Sequence, residues 1–328
     1  MSRVVAFVLG YRAAQDLGSG TLDTIVHAAE RIRRCESWVL YVDNYSRDGS
    51  MQYIVEHNPQ VEVLLARSNL NYCGGVNAGL QYAYRRWAPD YVILIDGDNP
   101  CHPDAYEELV RFADEHPASG MVQPLVRSPS NENVIYSCGH QFLEDGQCRP
   151  LTQLPADPST LMQLPSCSIS STLVRIAALE RVGILDPIFE MYFESSDLSF
   201  RMRKAGFDCS CQPQAVTYNE GNPGHGIDRV HQRYYFNRNR LLFWRIHDEE
   251  RFARVRQSQL EVYRELQARF EQSAFGLDPE SEPVRRGIED GLRLTDDPAF
   301  TRRLLPSISE FDKSLLMRVQ EGIFLSMP

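Results

Sequence analysis

Four short apolar runs, Val4–Leu9, Trp38–Val42, Val61–Leu65 and Tyr91–Ile95, are separated by stretches with helical spacing. Thr21–Arg34 carries Leu22, Ile25, Val26, Ala29 and Ile32 at intervals of three and four, and Val76, Leu80, Tyr84 and Trp87 share one face of a later helix. A further helix is expected near Met51–Glu56, and the helix carrying Val76 is expected to open at Gly74–Gly75. Strand, helix and strand repeating over short links predict a doubly wound, mostly parallel α/β sheet. In such sheets ligands bind beyond the carboxyl ends of the strands. Acids stand at two of those ends, Asp43 after the second strand and Asp96 with Asp98 after the fourth.

The stretch "YVILIDGDNP" (91–100) admits two explanations. Asp, Gly, Asn and Pro all favour turns. Two carboxylates at a strand tip also suit a hard cation, which prefers oxygen ligands and often grips a diphosphate. Their place at the end of a buried parallel strand favours the cation. Dinucleotide chemistry is excluded, because Gly10, Gly18 and Gly20 do not give the GxGxxG spacing and no GxxxxGK[ST] loop occurs.

A net charge of −10 argues against nucleic acid as a partner. No run approaches the roughly 18 apolar residues of a membrane span. The N-terminal apolar run is short for a signal core, so a cytoplasmic protein is expected. Eight cysteines without a CxxC pair read as reduced, mostly buried thiols. Residues 117–170 are less periodic and predict loops and a shorter mixed sheet. "STLVRIAALERVGILDP" (171–187) predicts a strand running into a short helix that stops at Gly183. From Glu249 onward the chain is charged and helical, a surface through which copies could pair into a homo-oligomer.

Four stretches together resemble the family-2 glycosyltransferases of the GT-A fold, in their rhamnosyltransferase-like branch. These are "YVDNYSRDGS" (41–50), "NLNYCGGVNAGL" (69–80), "LIDGDNP" (94–100) and "GILDPIFEMYFESSDLSFRMRKAGF" (183–207), with an echo at "YYFNRNRLLF" (234–243). The resemblance covers about residues 3–245, leaving 246–328 as a C-terminal helical extension. It implies an inverting transfer of sugar from a nucleotide-diphosphate donor to a saccharide, lipid-linked or small-molecule acceptor, assisted by Mg²⁺ or Mn²⁺. Asp43 would recognise the base, with Tyr11 in the segment just after the first strand. Asn69, Asn77 and Gly79 match loop positions near the donor, although a plain helix entry capped by Asn explains them as well. Asp98, with Asp96 beside it, would hold the metal, and Arg238 would meet a phosphate.

Two departures from the family pattern matter. Where the family has its general base, this chain has Ser195, which lacks an accessible pKa near 7. Ser195 instead suits the N-cap of the helix that follows. The base role then passes to Glu194 first and Asp197 second. Asn219 stands in place of a family His, with His225 in the next turn of loop as a possible substitute. A sugar-nucleotide-binding module without catalysis is the first rival reading. A nucleotidyltransferase is the second, weakened because "LGYRAAQDLGSG" lacks the Lys that class needs.

Overall fold

The computed structural model describes residues 2–219, 229–273, 276–300, 305–306, 308–310 and 312–319. In chain order the first half runs β1 (Ser2–Gly10), α1 (Ala14–Gly18), α2 (Thr21–Glu30), β2 (Cys35–Asp43), α3 (Ser50–His57), β3 (Glu62–Ala66), α4 (Asn71–Trp87), β4 (Tyr91–Asp96), α5 (Ala105–Glu115) and β5 (Ser119–Arg127). Short strands β6 (Ile135–Ser137), β7 (His140–Phe142) and β8 (Cys148–Pro150) follow. Then come β9 (Thr172–Arg175), α6 (Ile176–Val182), α7 (Glu194–Lys204) and β10 (Asp208–Tyr218). The C-terminal part holds α8 (Arg229–His247), α9 (Glu249–Gln272), α10 (Ser281–Thr295) and β11 (Leu316–Val319).

The main sheet has the order β10-β5-β9-β4-β1-β2-β3-β11. Strands β1 to β5 and β10 run in one direction, while β9 and β11 oppose them. The fold is therefore a mostly parallel α/β sheet with C-terminal helices. Two apolar layers cover its faces, one from α4, α6, α7 and α8 and the other from α2 and α5. The four strands expected in the first hundred residues form with ends shifted by one to three residues. The expected helix start at Gly74–Gly75 moves back to Asn71, whose backbone is left-handed at φ 59°.

The region expected to hold loops and a shorter mixed sheet also contributes a long strand to the main sheet, β5, and β10, further along the chain, adds a second. Both carry a proline. Pro124 lies past Met121 and Val122, the two β5 residues that pair with β9. Pro213 falls within the register shift between Gln212 and Val216. Pro213 thus occupies a position where the ladder is already interrupted and does not need its N–H, while Pro124 is in register with Gln212 of β10 beyond the β9 pairing.

The boundary drawn at 245 falls inside α8, which runs on to His247 and packs on α9 and α10. Nor is the extension wholly helical, since β11 pairs antiparallel with β3 at the sheet edge. All eight cysteines are free thiols, buried except for the half-buried Cys148. No described helix is long and apolar enough to cross a membrane.

Candidate active site

The carboxyl ends of β2, β1 and β4 lie side by side, with Gly10 opposite Asp43 and Leu9 opposite Asp96. Asp43 is buried and accepts the Ser46 N–H at 2.6 Å, closing the turn that the sequence suggested. Burial pushes its carboxyl up to about 6, against the pull of the Ser46 bonds. Next to it Asn44 ties two segments together. Its Nδ2 donates to the Asn71 carbonyl at 3.0 Å and to Asn69 Oδ1 at 3.3 Å, and its Oδ1 accepts the Leu70 N–H at 2.9 Å.

At the end of β4 the two acids differ. Tyr72 Oη donates to Asp96 Oδ1 at 2.7 Å and Ser170 Oγ donates to Oδ2 at 2.6 Å, so both Asp96 oxygens are engaged. Asp98 is half-buried, and its carboxylate is met by its own N–H and by no other hydrogen-bond or ion-pair partner among the described residues. Burial and then the neighbouring Asp96 push its carboxyl up to about 7. The buried Asn99 donates to Ser170 Oγ at 2.5 Å and accepts from Asn219 Nδ2, which places Asn219 beside this element. His225 lies outside the described residues.

No group of three or more His, Cys, Asp or Glu able to hold a metal occurs among the described residues. The donor set nevertheless fits a hard cation of the Mg²⁺ or Mn²⁺ kind. Such ions are held by one or two carboxylates, with the remaining positions taken by water and substrate phosphates. Asp98 offers a carboxylate that the protein does not otherwise use.

Glu194 opens α7 beneath these acids. It is buried, and its Oε2 has no hydrogen-bond partner among the described residues. Burial pushes its carboxyl up to about 7; its own N–H and that of Ser195 pull it down, and Asp96 pushes it further up. The loop that delivers it is strained, with Glu190, Tyr192 and Phe193 at φ 58°, 64° and 68°. Left-handed backbone at non-glycine residues costs about 1–3 kcal/mol each and persists only where the surroundings enforce it. Asn239 on α8 does so: its Nδ2 donates to the carbonyls of Phe189, Met191 and Tyr192 at 2.7, 2.7 and 2.9 Å. Arg238 pairs with Glu190 at 3.4 Å, and Tyr235 Oη and Asn71 Nδ2 donate to the same carboxylate. Asn239→Ala should therefore lower turnover at least tenfold while leaving nucleotide affinity unchanged, and cost about 1–3 kcal/mol of stability from the unpaired carbonyls. Parallel loss of both affinities and turnover would mean that the clamp serves only folding.

Residues 20–181 match the family described as Glycosyl transferase family 2. The chain thus carries a family-2 glycosyltransferase domain over those residues. It is 31% identical over 191 residues to the N-acetylglucosaminyl-diphospho-decaprenol L-rhamnosyltransferase of Mycobacterium tuberculosis, a match covering 52% of this chain and 62% of that protein. The chain thus spans less than two thirds of the length of that relative. Among solved structures, the fold is shared with a mannosyltransferase from Pyrobaculum calidifontis in complex with GDP-Man and Mn²⁺. There the TM-score is 0.54 at 13% identity, covering 90% of this chain and 88% of that one. S. aureus TarS 1-349 in complex with UDP-GlcNAc gives a TM-score of 0.53 at 15% identity, covering 89% and 81%.

The remaining sequence-predicted residues fall into distinct places. Tyr11 follows β1 directly, half-buried, with the Arg12 guanidinium 5.1 Å from its ring centre. Asn69 Oδ1 accepts the Asn71 N–H at 2.8 Å and so serves the helix entry. Asn77 is occupied within the fold, which corrects its assignment to the donor: it donates to the Leu185 carbonyl at 2.9 Å and accepts the Leu185 N–H at 3.0 Å. A Cβ on Gly79 would overlap the Phe7 ring, so Gly79 lets α4 lie close on β1. Arg238 is buried in the loop clamp, which corrects its assignment to a substrate phosphate.

Asp197 does not qualify as the base. Its Oδ2 pairs with Arg201 at 2.8 Å and its Oδ1 with His247 at 2.8 Å, all three side chains being buried. Burial would raise its carboxyl, but Arg201 and His247 together hold it below the usual carboxylate range. Ser195 is not the N-cap either. Phe193 occupies that position through its left-handed backbone, and no side chain caps the helix.

Sequence reading missed Tyr72, Ser170, Asn44 and Asn239. Tyr72 lies within the quoted "NLNYCGGVNAGL", so its proximity to Asp96 was hinted. Asn44 and Asn239 also lie within quoted stretches, which do not reveal what they bind; Ser170 shows no local signal.

Proposed function

We propose that the protein transfers a sugar from a nucleotide-diphosphate donor to a hydroxyl-bearing acceptor, with inversion at the sugar carbon and with Glu194 as general base. The observation that carries this reading is Glu194 itself: a buried carboxylate with one oxygen unpartnered among the described residues, pushed up to about 7, close enough to Asp96 to feel its charge. A base with a pKa near the working pH accepts a proton most effectively. Asp43 would accept an N–H of the nucleobase at the end of β2, with Tyr11 beside the base. Asp98, with Asp96 behind it, would hold the divalent cation, which supplies Lewis-acid stabilisation of the leaving diphosphate. Tyr72 and Ser170 fix Asp96, and through Asn99 they fix the turn that presents Asp98. The acceptor hydroxyl would lose its proton to Glu194 as its oxygen attacks the sugar carbon from the face opposite the diphosphate.

Mn²⁺ and nucleotide sugars bound to proteins of the same fold support the donor half of this reading. The test is release of nucleoside diphosphate from a panel of nucleotide sugars with Mn²⁺. Release from at least one donor, by transfer or slow hydrolysis, is the expected result. Binding of a donor with no release from any would leave a binding module in place of an enzyme.

Base recognition has its own test. Asp43→Asn keeps an oxygen for the Ser46 N–H but offers the base an amide donor, and nucleotide affinity should fall by roughly 1–3 kcal/mol, the cost of an unpaired buried polar group. An unchanged Kd by calorimetry would leave Asp43 as a turn residue.

A further inference from the structure

A pocket of about 360 Å³ lies between the β7–β8 hairpin end, the residue that precedes α7 and one face of α8. Phe193, Phe236, Pro150, Cys148, Arg149 and Arg240 contribute to its walls. Two features of it are not explained by folding alone. Arg240 is 7% exposed, yet its Nε has no hydrogen-bond partner among the described residues. Its other contacts among the described residues are weak: Asn237 Oδ1 at 3.3 Å, and Asp145 at 3.8 Å with an Asp145 side chain that is 43% exposed. A buried charge without close partners costs several kcal/mol, and burial holds this guanidinium below its ordinary pKa. The second feature is the apolar wall, where Phe193 and Phe236 meet edge to face at 6.1 Å and Tyr192 stacks on Phe236 at 4.5 Å.

The pocket reaches the reacting end of the site through two residues. Phe193 directly precedes Glu194, and the Cys148 sulfur accepts from Ser196 Oγ at 3.5 Å, within the first turn of α7.

We infer that this pocket is an acceptor subsite that takes an oxyanion, phosphate or carboxylate, on Arg240, with an apolar portion of the same molecule against Phe193 and Phe236. The inference rests on the reading of Glu194 as the residue facing the acceptor. A guanidinium presents five donors in a planar fork that matches either oxyanion through two parallel bonds. Arg149 stands at the rim, already held by Gln147 Oε1 at 2.7 and 3.1 Å, and adds a second positive charge. An acceptor anchored there would carry its hydroxyl toward Glu194, and uncharged analogues would leave Arg240 as unsatisfied as it is now.

The experiment is calorimetry on the full chain with octyl phosphate, octanoate, octyl glucoside and inorganic phosphate as probes. At least one of the two charged amphiphiles should bind ten times more tightly than octyl glucoside, and the tighter of them names the oxyanion. Arg240→Gln should remove that preference. Gln147→Trp should also remove it, by filling the pocket mouth while leaving Arg240 in place, which covers the case in which the arginine variant fails to fold. UDP binding with Mn²⁺ should be unchanged in both variants and reports on the donor side separately. Charged amphiphiles that bind no better than octyl glucoside, or no worse in both variants, overturn the inference while leaving the donor reading intact. Inorganic phosphate binding as tightly as octyl phosphate would overturn its apolar half.

Discussion

Glu194→Gln should cut turnover by about 10²–10⁴-fold, the usual span for loss of a general base, with donor affinity nearly intact. Glutamine fills the same space and keeps an oxygen, but it cannot accept the acceptor's proton. Two pH effects accompany the loss. Turnover in the parent should rise with pH through about 7, because only the deprotonated carboxylate can act. Stability should move the other way. The folded state holds the Glu194 proton from the unperturbed value of 4.5 up to about 7, whereas the unfolded chain releases it near 4.5. The folded state therefore binds more protons across that window, and stability falls as pH rises through it. Removing the ionisable group removes that loss, so Glu194→Gln should be more stable than the parent at pH 8 and lose its relative gain toward pH 4. Thermal unfolding at the two pH values, beside turnover at saturating donor, checks both. A variant less stable at pH 8 and equally weakened in donor binding and turnover would make Glu194 a donor-site or structural residue.

Ser195→Asp extends the same experiment. It restores the residue that the family resemblance implies as base. Restored turnover in the Glu194→Gln background would show that a carboxylate one residue along can reach the same proton. If Ser195→Asp alone creates donor hydrolysis in a parent that has none, the native site is a degenerate one.

The parallel sheet and its acidic strand ends were legible because their signals are local. A buried strand such as Tyr91–Asp96 needs only a short apolar, β-branched run, and an acid after it is visible at once. Strands β5 and β10 were hidden for a local reason as well. Proline is a strand-breaking signal in a sequence, and only the pairing of neighbours shows that β5 and β10 run on past Pro124 and Pro213. The roles of individual site residues were less accessible. Asn77 looked like a donor ligand, but its partner Leu185 is 108 residues away. Asp197 looked like a spare base until His247, 50 residues on, was found against it. Arg238 kept its importance but changed its work, from meeting a substrate phosphate to holding, together with Asn239, the strained turn before Glu194. Residue type and order survive in a sequence pattern; the partner that uses up a polar group does not.

Asp98→Asn should abolish the contribution of Mn²⁺ to donor binding, and Asp96→Asn should reduce it less. The difference follows from what each carboxylate already does. Asp96 is committed to Tyr72 and Ser170, and an amide there keeps one acceptor oxygen while the hydroxyls can rotate to suit it. Asp98 has no such commitment among the described residues, so its charge is the one available to a cation. At an effective dielectric near 20, two unit charges about 4 Å apart interact by roughly 4 kcal/mol. Loss of one carboxylate from a site with so few protein ligands should therefore weaken cation affinity by at least about a hundredfold. The measurement is UDP titration with and without Mn²⁺. In the parent Mn²⁺ should tighten UDP binding; in Asp98→Asn the two titrations should coincide, at the affinity of the parent without metal. That coincidence separates loss of the cation from loss of the nucleotide pocket, because a disrupted pocket would weaken the metal-free titration too. If both asparagine variants bind UDP and Mn²⁺ as the parent does, "DGDNP" is a turn and nothing more, and the diphosphate must be held elsewhere.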